Sequence, residues 1–204
     1  MKRRFFAIIS MFTLFIFSFE KIYSDEGVGI DLGWTTQCGG GYYTFYDRYL
    51  YSTSNTKHGN RSVYITSNFT GTQIGTIKTA YKKWNSSTNY CQLVNSNSSS
   101  SYQIKIDKKT LMGDTLGITT FFVNDFSGTL PGSNYSKAYI YLDLSTYSTN
   151  NEKLHKVTAH EVGHALGLSH VAGTSSVMTQ AVNDFYSTMS PQTYDLNTLR
   201  HVYC

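Results

Sequence analysis

Apolar residues recur at helical spacing between residues 71 and 87, and this pattern predicts the first helix of the chain. The positions that form its apolar face are Ile74, Ile77, Ala80, Tyr81 and Trp84. The residues between them are mostly polar, so the helix is expected to be amphipathic, with one face in the core.

Two further helices are predicted from residues that favour helix ends. Thr149 and Glu152 have the spacing of a capping box, so a helix is expected to begin near Thr149. Gly167 is placed to end that helix. Ser190 as cap, followed by Pro191 in the first turn, predicts a last helix that ends at about residue 203.

Alternation of apolar and polar residues predicts strands. The predicted strands cover residues 62–67, 102–107, 116–123 and 138–144. The polar run 96–101 is interpreted as a loop, and the stretch 124–134 as turns. The order of these elements predicts a mixed α/β (α+β) domain with one twisted sheet.

The first 24 residues have the pattern of a secretory signal peptide. Three basic residues, at positions 2–4, precede an apolar run over 5–19, and Ser24 follows as a small residue suited to cleavage. The run is shorter than the roughly 20 residues that a spanning helix needs. A secreted protein is therefore expected, with a retained membrane anchor as the alternative.

Charge and hydropathy restrict the partners of the mature chain. The formal net charge is +4, and the predicted signal peptide carries three of these charges, so little remains to attract nucleic acid. No later apolar run is long enough to span a bilayer. We therefore expect no nucleic-acid partner and no stable membrane association, and we expect a monomer.

The sequence from His160 to His170 is HEVGHALGLSH, which has the spacing of a catalytic metal site. Two histidines at i and i+4 lie about 40° apart around a helix, so their imidazoles can share one ion. Gly167 lets the chain leave the helix, and His170 can then supply a third ligand. Three imidazoles with an open fourth position are typical of one catalytic Zn²⁺.

Glu161 lies next to His160 but about 100° around the helix, which favours a position beside the metal rather than on it. Zinc lowers the pKa of a bound water toward about 7, and a neighbouring carboxylate can take its proton. Glu161 is therefore predicted to be the general base. The other histidines, His58, His155 and His201, lack such neighbours and are interpreted as structural or surface residues.

These residues match the H-E-x-x-H-x-x-G-x-x-H signature of the metzincins. Met178, eight residues after His170, resembles their Met-turn methionine. That position and the ending SPQTYDLNTLRHVY are most similar to the matrixins, or matrix metalloproteinases. The low charge favours a bacterial member. The resemblance implies a zincin fold: one twisted mixed sheet, an active-site helix, a Met-turn and a C-terminal helix.

The resemblance also implies a division of the chain and a set of roles. A Gly- and Tyr-rich segment, 25–58, would precede a catalytic domain, 59–204, that cleaves proteins or peptides. Residues 116–122 would be an edge strand that pairs with an extended substrate. Residues 179–190 would form the wall of the specificity pocket. The alternatives are a secreted zinc-binding module without activity and a zinc amidase acting on a non-protein substrate.

The chain also departs from the families that it resembles. Tyrosine is absent two residues after Met178, so the extra tyrosine ligand of astacins and serralysins is not expected. Histidine is absent between His58 and His155, so the second, structural zinc site of matrixins is not expected either. Calcium remains possible without an assigned site. The acidic residues that could bind it are Asp107, Asp114, Asp125 and Asp143.

The three cysteines are Cys38, Cys91 and Cys204, and export would permit one disulfide. Matrixins keep themselves latent through a pro-segment thiol on zinc, and Cys38–Gly39 resembles that pair. The flanking Arg and Asp are absent, and only 13 residues separate Cys38 from the predicted cleavage point. We therefore predict that Cys38 is structural rather than a latency switch, with Cys204 as its favoured disulfide partner, while the pairing among the three cysteines stays open.

Overall fold

The structure is a computed structural model, and it describes residues 44, 48–86, 91–123, 126–128, 131, 133–145, 150–172, 174–180 and 188–203. Within these ranges the helices are α1 (Gly71–Lys82), α2 (Asn151–Ala165) and α3 (Thr193–Tyr203). The strands are β1 (Gly59–Ile65), β2 (Cys91–Ser96), β3 (Ile104–Lys108), β4 (Gly117–Val123), β5 (Phe126–Gly128) and β6 (Lys137–Leu142). None of the helices in this part of the chain is both long and apolar enough to cross a membrane.

The strands form one mixed sheet in the order β2-β1-β3-β6-β4-β5. The pairs β1–β2, β1–β3 and β3–β6 are parallel, whereas β4 runs antiparallel to β6 and β5. Alternate residues of these strands are buried on one face, where Ile104, Ile106 and Ile140 belong to the same core as α1 and α2. The predicted mixed α/β fold with one sheet is confirmed.

The sequence patterns missed two strands. β2 contains one short apolar stretch, and its pairing with β1 over six register positions places Cys91 and Leu93 in the core. β5 is three residues long and lies in the stretch 124–134 that was predicted as turns. Both strands are defined by their pairing partners: in β2 the apolar Leu93 and Val94 are adjacent, which obscures the alternation, and β5 has only three residues.

Helix α1 confirms the first predicted helix. Thr70 caps it, and a complete capping box joins Thr70 and Gln73. The helix ends at Lys82, and a 3-10 turn, Lys83–Ser86, continues it. The turn brings buried Trp84 against α2, where its indole N–H donates to the Ala159 carbonyl at 3.0 Å.

The starts of α2 and α3 differ from their predicted positions. α2 is capped by Asn150, not Thr149, because the Asn150 side chain reaches the Lys153 amide at 2.9 Å. α3 begins at Thr193, so Pro191 is not in its first turn. There Asp195 accepts from the Gln192 amide at 2.7 Å, which is the backward bond of a capping box and sets the start of α3.

Residues 48–52 form a strap that crosses the ends of α2 and α3. Leu50 is fully buried; its amide donates to the Tyr203 hydroxyl at 3.2 Å, and its carbonyl accepts from the buried Arg61 guanidinium. The backbone of the strap also exchanges two hydrogen bonds with Tyr135. Gly167 has φ +98° and ends α2 as predicted, and a Cβ there would overlap the Arg48 carbonyl oxygen.

Strand β4 has a free backbone edge over only part of its length. β5 pairs with residues 121–123, so among the described residues Gly117–Thr120 have no strand partner on that side. The Asp143 amide donates to the Leu116 carbonyl at 2.9 Å, so Leu116 and Asp143 form a hydrogen-bonded pair of the antiparallel ladder. Such pairs recur at every second residue, and the amides of Ile118 and Thr120 therefore point toward β6. The amides of Gly117 and Thr119 therefore point outward.

This backbone direction predicts that Ile118→Pro will unfold or strongly destabilise the protein. Proline removes the donor to the Tyr141 carbonyl, which costs at least about 1–3 kcal/mol for an unmade buried hydrogen bond. Urea denaturation checks this, with Ile118→Ala as the control that keeps the amide. If the proline variant is as stable as the alanine variant, the Ile118 amide does not face β6.

Candidate active site

Helix α2 and the chain just after it bring three histidines to one point. His160 and His164 are one turn apart on α2, and His170 returns after Gly167. Their Nε2 atoms lie 3.0 Å (160–164), 3.1 Å (160–170) and 3.1 Å (164–170) apart. In the described part of the chain no other His, Cys, Asp and Glu side chains form a group that could hold a metal.

Backbone carbonyls fix the protonation of two of these rings. The Nδ1 of His160 lies 2.9 Å from the Val177 oxygen, and the Nδ1 of His164 lies 2.8 Å from the Leu168 oxygen. A carbonyl can only accept, so both rings carry their proton on Nδ1 and direct the Nε2 lone pair inward. Inward lone pairs this close repel one another unless they share a cation.

The donor set fits zinc. Two nitrogens at the Zn–N distance of about 2.0–2.1 Å and at a tetrahedral angle lie about 3.3 Å apart, close to the separations found here. Burial lowers the pKa of His160 to about 4 and that of His170 to about 3, and burial together with the two neighbouring rings holds the pKa of His164 well below its usual value. The imidazoles are therefore neutral at pH 7, as metal ligands must be.

Met178 lies in a tight turn below the histidines, as the Met-turn prediction requires. It is 1% exposed, and the carbonyl of the preceding Val177 accepts from His160. Gly163 of α2 lies directly above it: a Cβ at that position would overlap the Met178 sulfur and approach Trp84 to 2.9 Å. A glycine is needed here for the turn to pack so closely against the helix.

Asp195 of α3 anchors this turn, and the sequence patterns did not identify it. Its carboxylate accepts from the Ser176 hydroxyl and from the Val177 amide, the latter at 3.1 Å. Ser176 in turn accepts from the Met178 amide at 2.8 Å. Burial raises the pKa of Asp195, and these hydrogen bonds oppose that shift by favouring the carboxylate.

Glu161 is buried beside the histidines, and its carboxylate faces β4. The Thr119 hydroxyl donates to its Oε2 at 2.7 Å, and Gly117 lies against the same side chain. Burial raises the pKa of Glu161 to about 7, against the lowering effect of the Thr119 hydrogen bond. A cation held by the imidazoles would favour the charged carboxylate and lower that pKa again.

Two of the acidic residues considered for calcium have carboxylates that are already engaged. Asp107 accepts from Thr66, Asn68 and the Lys108 amide and pairs with Lys105. Asp143 accepts from the Leu111 and Ser145 amides. Asp114 is exposed and Asp125 lies outside the described residues. Calcium thus has no assigned site.

The remaining predicted residues fall into two groups. His58, His155 and His201 do not join the histidine cluster. Cys91 is a free, buried thiol, and burial raises its pKa to about 11. Cys38, Cys204 and residues 181–187 of the expected pocket wall lie outside the described residues, so the disulfide and the wall stay predictions.

Comparison with known proteins decides the family. Residues 62–204, well over half of the chain, match the family described as matrixin. The chain belongs to the matrixin family. Matrixins are zinc metalloendopeptidases, and the predicted resemblance of the chain to this family is confirmed.

Other comparisons add little to the matrixin assignment. None of the curated proteins matches the chain. Among the solved structures that match is one described as the structure of myroilysin, with 19% identity and a TM-score of 0.39. The match covers 55% of this chain and 49% of that one, so it spans about half of the myroilysin chain. A likeness this loose supports no further conclusion.

Proposed function

We propose that the protein is a secreted, zinc-dependent endopeptidase that hydrolyses peptide bonds in proteins. His160, His164 and His170 would hold one Zn²⁺, and Glu161 would act as the general base. The observation that carries this proposal is the convergence of three neutral imidazole Nε2 atoms within 3.1 Å of one another, beside a buried carboxylate.

When bound, zinc would supply Lewis-acid chemistry, polarising the scissile carbonyl and making water easier to deprotonate. The chain's own residues would do the rest. Glu161 would take a proton from the attacking water and later deliver it to the leaving amine. The carbonyls of Val177 and Leu168 would keep the His160 and His164 rings in the tautomer that presents Nε2.

The free edge of β4 is the proposed place for the substrate backbone. Gly117 and Thr119 direct their amides and carbonyls away from β6, so an extended peptide can pair with them as an added strand. Both residues also lie next to Glu161. A peptide bound at this edge would therefore pass close to the base and the histidines.

Secretion and the oligomeric state of the enzyme are part of the same proposal. Export is supported by the basic residues at positions 2–4, the apolar run over 5–19 and the small Ser24. We further propose that the mature protein acts as a monomer on protein or peptide substrates. Secretion into the medium, with a new N-terminus at Asp25, would test the first point, and size-exclusion chromatography would test the second.

The peptidase proposal predicts that the purified protein will cleave casein, that a chelator will abolish the cleavage and that added zinc will restore it. Activity should depend on the metal because the three imidazoles are neutral and cannot themselves polarise the scissile carbonyl, which only a bound ion would do. Fluorescent casein with and without 1,10-phenanthroline is the measurement. Zinc binding without cleavage of proteins or peptides would support the binding module, and cleavage restricted to non-protein amides would support the amidase.

A further inference from the structure

Two residues of β4 enclose the carboxylate of Glu161, although the metal-binding motif contains neither. Residues 117 and 119 are two positions apart on the strand, so they lie on the same face of it, and that face packs on α2. The register of β4 against β6 and the packing of β4 on α2 bring this pair to Glu161. Thr119 contacts one oxygen of the carboxylate, and the space beside the other oxygen is the one that a side chain at residue 117 would fill.

Thr119 holds one of these oxygens. Its hydroxyl lies 2.7 Å from Oε2 and 3.0 Å from the backbone carbonyl of Glu161 itself. Thr119 and Glu161 are each 6% exposed, so bulk water does not compete for this bond. Among the described residues no other side chain donates a hydrogen bond to the Glu161 carboxylate.

Gly117 borders the other oxygen. A Cβ at this position would lie 2.8 Å from Cγ and 2.9 Å from Oε1 of Glu161, and 2.9 Å from a methyl group of Val157. Real side chains essentially never approach so closely, so either the carboxylate or the strand would have to move. The absence of a side chain at Gly117 is therefore what leaves Oε1 in its place.

We propose that Thr119 and Gly117 are positioning residues that set the orientation of the Glu161 carboxylate before substrate binds. Thr119 occupies Oε2, which leaves Oε1 as the oxygen that exchanges the proton with water. This inference rests on the proposed role of Glu161 as general base. The fixed orientation of the carboxylate would preorganise the base. A glutamate side chain has several rotatable bonds, and an orientation set in advance avoids their reorganisation during the reaction.

The test compares Thr119→Val, Thr119→Ala and Thr119→Ser in peptide hydrolysis. Loss of one hydrogen bond to a charged group predicts that kcat falls about 10–100-fold in the Val and Ala variants, with KM within about twofold of wild type. The Ser variant keeps the hydroxyl and should recover most of kcat. Zinc content should remain at the wild-type level in all three.

Gly117→Ala tests the positioning of the Glu161 carboxylate independently of Thr119. The new methyl group would displace the carboxylate, and a displacement of about 1 Å can lower kcat by about 100-fold. Zinc should again stay bound, because the atoms nearest to the new methyl group belong to Glu161 and Val157 and not to the imidazoles. A Gly117→Ala variant with wild-type kcat would overturn the assigned role of Gly117.

The control is Thr66→Val. Thr66 is also a buried threonine whose hydroxyl donates to a carboxylate oxygen at 2.7 Å, but its partner is Asp107 on β3, two strands away from β4. Its loss should cost stability without changing kcat. If Thr119→Val and Thr66→Val have the same kcat as wild type, or if Thr119→Ser is no better than Thr119→Val, Thr119 does not position the base.

A double-mutant cycle separates this inference from the proposal on which it depends. In a Glu161→Gln background, adding Thr119→Val should cause little further loss of kcat, because the group that Thr119 positions is no longer a base. A full additional loss would overturn the inference. If Glu161→Gln alone retains wild-type activity, the proposed general base is wrong whatever the Thr119 variants show.

Discussion

Replacement of Glu161 by glutamine is expected to lower kcat/KM for peptide hydrolysis by at least about 10²–10⁴-fold, the usual contribution of a general acid–base. The amide has nearly the same shape as the carboxylate and can still accept the Thr119 hydrogen bond, but it cannot take a proton from water. The three imidazoles are untouched, so zinc content should not change. Hydrolysis of a quenched fluorescent peptide and elemental analysis should be run on the same samples.

Glu152→Gln is a matched control for this substitution. Glu152 lies on the same helix, is exposed and pairs with Lys156 at 3.4 Å, so its neutralisation should leave both kcat/KM and zinc at wild-type levels. A Glu161→Gln variant that keeps its zinc and also keeps full activity would rule out the mechanism proposed for Glu161.

Replacement of His164 by alanine is expected to remove zinc and with it all measurable activity. The Nε2 of His164 lies within 3.1 Å of both other Nε2 atoms, and its Nδ1 bonds to the Leu168 carbonyl. Its loss therefore leaves only two imidazoles and removes one of the bonds that hold the chain after α2. Metal binding is coupled to folding, so the midpoint of thermal unfolding should fall as well.

His155→Ala separates the loss of a ligand from the loss of a buried histidine. His155 lies on the same helix and is also buried, but it is not part of the cluster. This variant is expected to bind zinc and to cleave peptides even if its unfolding temperature falls. Loss of zinc from His155→Ala and its retention by His164→Ala would reverse the assignment.

The position of the metal site could be predicted from the sequence because most of its geometry is local. His160 and His164 share a face of any helix that contains them, and Gly167 is the kind of residue that allows the chain to turn back with His170. The fold class could be predicted for the same reason, because the apolar residues of α1 recur with the helical period and those of β3 and β6 with the strand period. The structure places all of these elements close to their predicted bounds.

The parts that could not be predicted depend on contacts between distant segments. Thr119 hydrogen-bonds to Glu161, 42 residues away in the sequence, only because β4 packs on α2, and no sequence motif predicts that contact. Asp195 supports the Met-turn across 19 residues in the same way. β2 is a strand because β1 pairs with it. The cap of α2 is a local exception: the side chain of Asn150, one residue beyond the predicted cap, reaches the Lys153 amide, and the helix begins at Asn151.

The strap formed by residues 48–52 has a practical consequence for the design of shorter recombinant forms. A fragment that starts at Gly59 would lose buried Leu50, leave the Tyr203 hydroxyl without the Leu50 amide and remove a carbonyl that the buried Arg61 guanidinium binds. In such a fragment the buried Arg61 would keep the Gly59 carbonyl and the Tyr203 ring but lose the Leu50 and Lys57 carbonyls, and a buried cation that loses hydrogen-bond partners destabilises a small domain. Fragments intended for crystallisation or for screening inhibitors should therefore begin upstream of Arg48, and fusion tags should not be attached directly to the strap.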